Sequence, residues 1–239
     1  MKSFLFYIPY SCAALTYAQD TLQTLGYCFI DHPSPDITHV LLPVPTKVSA
    51  LSVQLAMLPK DITIIGGKLI DPIFADYKTI DLLQAEDYLA QNAAITAHCA
   101  VKIALSLLPR TLQDCPVLVI GWGRIGKCLA QLLDNMGAQV TVAARKSTDR
   151  AIIQALGFRS AAIPLNAKHA YRLIFNTVPA PISLPTYSKE ACLKIELASS
   201  DGLSGSDIII ARGLPGKEAP ESSGQLIAQT LHQILTSKE

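Results

Sequence analysis

Residues 117–145 hold a glycine fingerprint together with the flanking elements that give it a mechanism. An apolar run leads into Gly-Trp-Gly-Arg-Ile-Gly, an apolar stripe at helical spacing follows, and a second apolar run ends the stretch. In such a unit the first glycine permits a tight turn, the second lets the backbone approach a pyrophosphate, and the third lets the helix pack closely on the strand. The pattern favours dinucleotide binding over a βαβ unit that binds no nucleotide. The residues predicted to contact the cofactor are Gly121, Trp122, Gly123, Arg124, Ile125 and Gly126.

The residues after the second apolar run predict which cofactor is bound. An Asp or Glu about 20 residues after the glycines accepts hydrogen bonds from the adenosine ribose and disfavours a 2′-phosphate. That position falls on Ala143 and Ala144, and Arg145, Lys146 and Ser147 follow. Cations and hydroxyl groups are what a 2′-phosphate needs, so the sequence predicts NADP rather than NAD. The alternative is that Arg145 and Lys146 are solvated loop charges.

Apolar runs alternate with helical patterns along the whole chain, which predicts an α/β fold. Half of the 239 residues are hydrophobic and 16% are charged, as expected for strands buried on both faces. We expect two parallel-sheet domains, a flavodoxin-like N-terminal domain and a Rossmann NAD(P)-binding domain, with the C-terminal helix packing back on the first. The predicted domains are residues 1–95 together with 221–239, and residues 96–220.

Composition and charge argue against several functions. A net charge of +1 gives no broad electrostatic attraction for nucleic acid or for an anionic membrane. No apolar stretch reaches the roughly 18 residues of a membrane helix, and Pro9 interrupts an N-terminal run that does not read as a signal peptide. The six cysteines form no C-x-x-C pair, so we expect reduced thiols in a cytoplasmic protein and no metal site.

Polar residues at the end of a buried strand form a second candidate contact with the cofactor. Asn176, Thr177, Val178 and Pro179 end the apolar run that begins near Arg172. Ligands of open α/β sheets bind at the carboxyl ends of parallel strands. The amide and the hydroxyl are therefore candidates to touch the ribose or the nicotinamide, and Thr177 is also a catalytic candidate. A capped turn before Pro179 explains the same residues.

His98 is the candidate general acid or base. Residues 88–91 are predicted to be extended, and Thr96 is predicted to be the N-cap of a helix that connects the two domains. The first turn of a helix favours the neutral imidazole ring, which can accept a proton. A structural role is the alternative for His98. Asn92 and Thr96 lie beside the expected cleft and are candidate substrate contacts.

Two further groups are candidates near the C-terminus. Glu196 lies inside an apolar strand, where a carboxylate without a partner is costly, so it is either a site residue or half of a buried ion pair. The second group combines turn residues with the start of the last helix, where free N–H groups would hold a substrate carboxylate. An interdomain hinge explains these residues equally well. They are Gly213, Lys217, Ser222 and Ser223.

Several motifs together carry a family resemblance. They are Val-Ile-Gly-Trp-Gly-Arg-Ile-Gly from residue 119, Val-Ala-Ala-Arg from 142, Phe-Asn-Thr-Val-Pro from 175, Ile-Glu-Leu-Ala-Ser from 195, Gly-Leu-Pro-Gly from 213 and Ser-Gly-Gln-Leu-Ile-Ala from 223. Leu-Leu-Pro-Val from 41 and Asn-Ala-Ala-Ile-Thr-Ala from 92 are weaker echoes. In these motifs the chain resembles the A subunit of dipicolinate synthase, a family related to the D-2-hydroxyacid dehydrogenases.

The resemblance implies NADP-linked oxidation of a dihydrodipicolinate-type precursor to the dipicolinate of endospores, and so a role in sporulation. It also implies a small-molecule carboxylate substrate and the flavoprotein-like B subunit of the synthase as partner; we further expect a homo-oligomer. The chain departs from the family in being shorter, mostly in the first domain, and in having His98 and Cys99 where the family has Glu-Gly. The Arg…Glu…His set of hydroxyacid dehydrogenases is not evident. The alternatives are an NADP-binding regulatory or scaffold subunit without turnover, and a D-2-hydroxyacid dehydrogenase-like enzyme acting on another substrate.

Overall fold

A computed structural model describes residues 4–51, 55, 57–165, 170–184, 192–205 and 207–237. Backbone contacts divide the chain into two units, residues 1–92 with 215–239 and residues 93–214. We call them the first and the second unit. The α-helices whose bounds the structure describes are α1 (Ala13–Thr24), α2 (Glu86–Leu107), α3 (Arg124–Asn135), α4 (Ser147–Ala155), α5 (Leu214–Glu218) and α6 (Pro220–Thr236).

The first unit is built on a parallel sheet with the strand order β2-β1-β3-β4-β5, which is the flavodoxin-like order. Its middle strands are fully buried, with Phe6, Val40 and Ile64 showing no exposed surface, because helices and loops cover both faces of a parallel sheet. The strands are β1 (Leu5–Tyr7), β2 (Cys28–Ile30), β3 (His39–Leu41), β4 (Thr63–Gly66) and β5 (Lys78–Asp81).

The last helix, α6, packs on α1 within the first unit. Gly224 makes the close approach possible, because a Cβ atom there would collide with the carbonyl oxygen of Ala14. The hydroxyl of Tyr27, beside β2, lies 2.9 Å from Nδ1 of His232 on α6. The predicted return of the C-terminal helix to the first domain is confirmed.

The second unit contains a parallel sheet with the strand order β11-β10-β9-β6-β7-β8. Counted within the unit, this is the 6-5-4-1-2-3 order of the Rossmann fold, so the predicted fold class is confirmed. The strands are β6 (Pro116–Ile120), β7 (Gln139–Ala144), β8 (Arg159–Ala162), β9 (Leu173–Asn176), β10 (Leu193–Glu196) and β11 (Ile208–Ile210). The division into two independently folding domains, with boundaries at residues 95 and 220, stays a prediction.

Helix α2 begins eleven residues earlier than the sequence analysis predicted, since it starts at Glu86 and the predicted N-cap, Thr96, lies in its interior. Residues 88–91 are therefore helical, and the extended segment predicted there is wrong. Acidic residues in the first turn, Glu86 and Asp87, favour a helix start because they complement the helix dipole. Tyr88 is 1% exposed and continues the buried face of the helix toward its N-terminus.

The segment that follows Gly213 also differs from its prediction as a turn-rich loop. Residues Leu214–Glu218 form the short helix α5, and α6 begins at Pro220. Proline at the first position of α6 fits a helix start, because that position needs no N–H donor. In the described parts of the chain, no helix combines the length and the apolar character needed to span a membrane.

His39 makes the stability of the first unit depend on pH. Its ring stacks on Phe6 at 5.0 Å and meets Phe4 edge-on at 5.2 Å. Burial lowers the pKa of His39 from 6.5 to about 4, because charging the ring there would remove an ion from water. The folded protein therefore keeps this imidazole neutral at pH values where the unfolded chain already protonates it.

We predict that the free energy of unfolding falls as the pH is lowered from about 6.5 to about 4, because the unfolded chain binds a proton that the folded chain excludes. His39→Phe keeps the ring stacking and should flatten this part of the curve. Urea midpoints measured across the pH range test it. His98→Gln, at an exposed position on α2, is the control; parallel curves for wild type and His39→Phe would contradict the prediction.

Candidate functional site

The glycine loop between β6 and α3 has a different reason for each of its three glycines. Gly121 has a φ of +106°, which favours glycine, and its N–H donates to Ala143 O at 2.9 Å. A Cβ atom on Gly126 would collide with the carbonyl oxygen of Gly121, so α3 can pack this closely only with glycine there. A Cβ atom on Gly123 would meet nothing within 4 Å, which leaves that side of the loop open.

The start of α3 supplies N–H donors at the open side of the loop. The helix begins at Arg124, and Lys127 is the residue whose N–H reaches back to Gly123 O, at 3.0 Å. The N–H groups of the first turn, including those of Ile125 and Gly126, have no acceptor within the helix, and they lie at the positive end of its dipole. An open glycine position beside such N–H groups fits a pyrophosphate.

The side chain of Trp122 packs near Phe158 and Lys127. Its ring meets Phe158 at a centroid distance of 6.2 Å, and Lys127 Nζ lies 5.8 Å from the ring. Its Nε1 is buried and has no hydrogen-bond partner among the described residues. As a cofactor contact, Trp122 stays a prediction.

The turn after β7 presents cations beside the glycine loop. Ala144 is buried, whereas Arg145, Lys146 and Ser147 are exposed. The neighbouring Arg150 holds this turn from α4, because its Nη1 donates to Ala144 O at 2.9 Å and to Arg145 O at 2.6 Å. The N–H of Gly121 bonds to Ala143 near the carboxyl end of β7, so the cations and the glycine loop lie at the same edge of the sheet.

A buried carboxylate organises the loops after β9 and β10. Glu196 is 1% exposed and Asn176 is not exposed at all. Both carboxylate oxygens of Glu196 accept from Asn176 Nδ2 at 2.9 Å. The N–H of Ala198 donates to Oε1 at 3.0 Å, and the N–H groups of Gly202 and Leu203 donate to Oε2 at 3.1 and 2.9 Å. Backbone N–H groups and the side-chain amide of Asn176 thus hold Glu196. None of these contacts is an ion pair.

These contacts change the expected roles of Asn176 and Thr177. The amide of Asn176 also donates to Val178 O at 3.0 Å and accepts from Val178 N–H at 3.1 Å. The hydroxyl of Thr177 donates to Ile120 O at 2.9 Å. Both amide hydrogens and the hydroxyl hydrogen are therefore committed inside the second unit. The capped turn before Pro179 is present, and Thr177 packs so closely on the glycine loop that a Cβ atom on Gly121 would collide with its hydroxyl.

The candidate residues on α2 differ in their exposure to solvent. Thr96 is 7% exposed, Asn92 is half-buried, and His98 is exposed. His98 lies in the helix interior and not in its first turn, so the helix-start argument for a neutral catalytic imidazole is wrong. As a catalytic residue, His98 stays a prediction.

The candidates near the C-terminus lie on or just before α5 and at the start of α6. Lys217 is exposed in α5, and Gly213 has a φ of +66° just before that helix. Ser222 is exposed, but Ser223 is buried and its N–H already donates to Ala219 O at 3.0 Å. Their role as substrate contacts stays a prediction.

Sequence reasoning missed two contributors in the second unit. Arg150 is one, and an arginine shortly after the strand was its only signal. Gly202 is the other, because a Cβ atom there would collide with Asn176 Nδ2 and disrupt the contacts of Glu196. Among the described residues, no cluster of His, Cys, Asp and Glu could hold a metal ion.

Comparison with known proteins tests the family resemblance. No protein-family model matches the chain. The A subunit of dipicolinate synthase from Bacillus subtilis is 29% identical over 175 residues, which is 67% of this chain and 59% of the relative's own length. The resemblance to the A subunit of dipicolinate synthase is confirmed, and the match spans less than two thirds of that relative.

Solved structures show the same fold. The crystal structure of the dipicolinate synthase A subunit from Bacillus halodurans superimposes with a TM-score of 0.82 at 20% identity, covering 98% of both chains. The A chain from Bacillus subtilis gives 0.77 at 21% identity, covering 99% of this chain and 97% of that one. A D-isomer specific 2-hydroxyacid dehydrogenase from Lactobacillus delbrueckii ssp. bulgaricus, in an NAD complexed form, gives 0.52 at 11% identity, covering 98% of both. The chain therefore shares the fold of these proteins.

We predict that Glu196→Gln destabilises the protein by on the order of 1–3 kcal/mol or more, because the new NH2 group faces N–H donors in a buried site. The shift of the denaturant midpoint measures the loss. Asp201→Asn is the matched control: Asp201 pairs with Arg212 at the surface with 80% of its side chain exposed, and losing such a pair costs about 0–1 kcal/mol. Equal effects of the two variants would contradict the prediction.

Proposed function

We propose that the chain is an NADP-dependent oxidoreductase of the same type as the dipicolinate synthase A subunit. In this proposal it oxidises a dihydrodipicolinate-type precursor to dipicolinate during sporulation. A small carboxylate is then the substrate, the flavoprotein-like B subunit of the synthase is a partner, and the cytoplasm is the site of action. The resemblance to the curated relative supports the family activity.

The observation that carries the proposal is the arrangement at the carboxyl edge of β6 and β7. There the open glycine position and the start of α3 suit a pyrophosphate, and Arg145 and Lys146 stand where an NAD-specific enzyme carries an acid. The first acid after β7 is Asp149, which lies within the first turn of α4. An adenosine 2′-phosphate would therefore meet cations and no carboxylate at the end of β7.

The chemistry asks little of the protein beyond binding. Bound NADP would supply a hydride acceptor, and oxidation of a dihydropyridine removes one hydride and one proton from the ring. The ring becomes aromatic, which favours the forward direction. A general base is then a modest requirement, and His98 or solvent is the acceptor of the proton in this proposal.

One observation favours a second function, a regulatory or scaffold subunit that binds NADP without turnover. The polar side chains nearest the glycine loop are committed, since Thr177 donates to Ile120 and Asn176 is held by Glu196. The second unit therefore has a candidate binding site whose neighbouring hydroxyl and amide have no proton to give. A D-2-hydroxyacid dehydrogenase-like reaction is the third candidate, on the fold alone.

Turnover separates these functions. The purified protein is mixed with NADP and a dihydrodipicolinate precursor, alone and with the B-type partner, and NADPH absorbance is followed in the near ultraviolet. The enzyme proposal predicts NADPH formation by the wild type and none by Gly126→Val, whose side chain would collide with the Gly121 carbonyl. NADP binding without any NADPH formation under both conditions would favour the regulatory function.

We predict that Arg145→Ala weakens NADP binding by about tenfold to a hundredfold, because it removes a charge-assisted hydrogen bond to the 2′-phosphate. NAD has no such phosphate, so its affinity should change little. Titration calorimetry with both cofactors measures the two effects. Arg159→Ala is the matched control, since this exposed arginine starts β8 at the opposite edge of the sheet. Equal losses for NAD and NADP would refute the assigned role.

A further inference from the structure

The carboxyl edge of the sheet in the first unit carries two exposed lysines on neighbouring loops. Lys47 follows β3, and Lys68 follows β4. Thr46 N–H donates to Gly67 O at 2.7 Å, and Gly67 N–H donates to Thr46 Oγ1 at 3.3 Å. The residues that directly precede the two lysines are therefore bonded to each other, so both side chains start from the same small area.

Two acidic side chains at this edge accept hydrogen bonds from neighbouring groups. Asp81, at the end of β5, accepts from the backbone N–H groups of Lys68, Leu69 and Leu83 at 3.1, 2.9 and 2.9 Å. Asp31, at the end of β2, pairs with His32. Among the described residues, no acid forms an ion pair with the side chain of Lys47 or Lys68, and their two ammonium groups are open to a ligand.

The backbone holds Lys68 in a conformation that a residue with a side chain rarely adopts. Its φ is +62°, in the left-handed region that favours glycine or asparagine. The bonds from the N–H groups of Lys68 and Leu69 to Asp81 keep the backbone there. Backbone strain of this kind is found most often at functional sites.

The position in the sheet is the one where ligands of this architecture bind. The strand order reverses direction between β1 and β3, and open α/β sheets bind ligands outside the carboxyl ends of the strands at such a point. The loop after β1 reaches the same place, because Tyr10 OH donates to Lys47 O at 3.2 Å. Lys47 therefore follows one of the two strands that flank this point, and Lys68 follows the next strand.

We infer that Lys47 and Lys68 bind the two carboxylates of a dicarboxylate ligand at the carboxyl edge of the first unit. Neighbouring strands are about 4.8 Å apart, and the lysine side chains are long enough to place one ammonium group on each carboxylate of a small ring. The inference rests on the proposed function for the ligand class. The inference places the carboxylates of the ligand on Lys47 and Lys68. The sequence analysis had instead proposed Gly213, Lys217, Ser222 and Ser223 as substrate contacts.

Titration calorimetry on the full chain tests the inference, with pyridine-2,6-dicarboxylate and the monocarboxylate picolinate as probes, with and without NADP. Lys68→Asn removes the charge but suits the left-handed backbone, and Lys47→Met removes the other charge. Each should weaken dicarboxylate binding by about tenfold or more, and should weaken picolinate binding less. Lys60→Met is the matched control, because Lys60 lies before β4 at the opposite edge and pairs with Asp76.

The outcomes separate this site from the proposed function. Selective loss of dicarboxylate binding in the two variants, with NADP affinity unchanged, supports the lysine site. Equal dicarboxylate affinity in the wild type, Lys47→Met and Lys68→Asn overturns it and leaves NADP-linked oxidation standing. Absence of dicarboxylate binding by the wild type also overturns it, and NADPH formation in the turnover assay then decides the proposed function on its own.

Discussion

The contact between Gly126 and the carbonyl of Gly121 is the constraint on which the second unit depends. It lets α3 start directly above the end of β6, and this brings the first-turn N–H groups to the edge of the sheet. A side chain at residue 126 would lift the helix away from the strand. The loop, the helix dipole and the neighbouring turn after β7 take their positions from this close approach.

A second constraint comes from a negative charge that the chain keeps inside itself. Burying the carboxylate of Glu196 is unfavourable unless hydrogen bonds replace its water, and the donors that do so come from Asn176 and from the loop after β10. The same amide of Asn176 closes the turn that places Thr177 against the glycine loop. Hydrogen bonds thus join parts of two loops that are distant in sequence, beside the glycine loop.

Local patterns were enough to predict the architecture, but they predicted side-chain roles poorly. The fingerprint and the apolar runs predicted both sheets, because buried parallel strands and amphipathic helices leave strong periodic signals. The predicted start of α2 was wrong, since Tyr88 and Leu89 read as a strand when their burial partners are unknown. Glu196 and Asn176 were identified as unusual, yet their mutual bonding depends on β9 and β10 being neighbours. Such pairings are long-range, and a single sequence does not display them. The left-handed backbone conformation of Lys68 could not be predicted for the same reason, because it depends on hydrogen bonds to Asp81 on a neighbouring strand.

The packing of α6 on α1 has a consequence for how the chain folds. Tyr27 and His232 are 205 positions apart in sequence, so the first unit closes only when its last helix arrives. During synthesis, the whole second unit leaves the ribosome between the two halves of the first. Until then, α1 exposes the apolar side that Gly224 and its neighbours will cover. Closing such a long loop is slow. During that interval the exposed apolar side of α1 can be bound by chaperones or can aggregate.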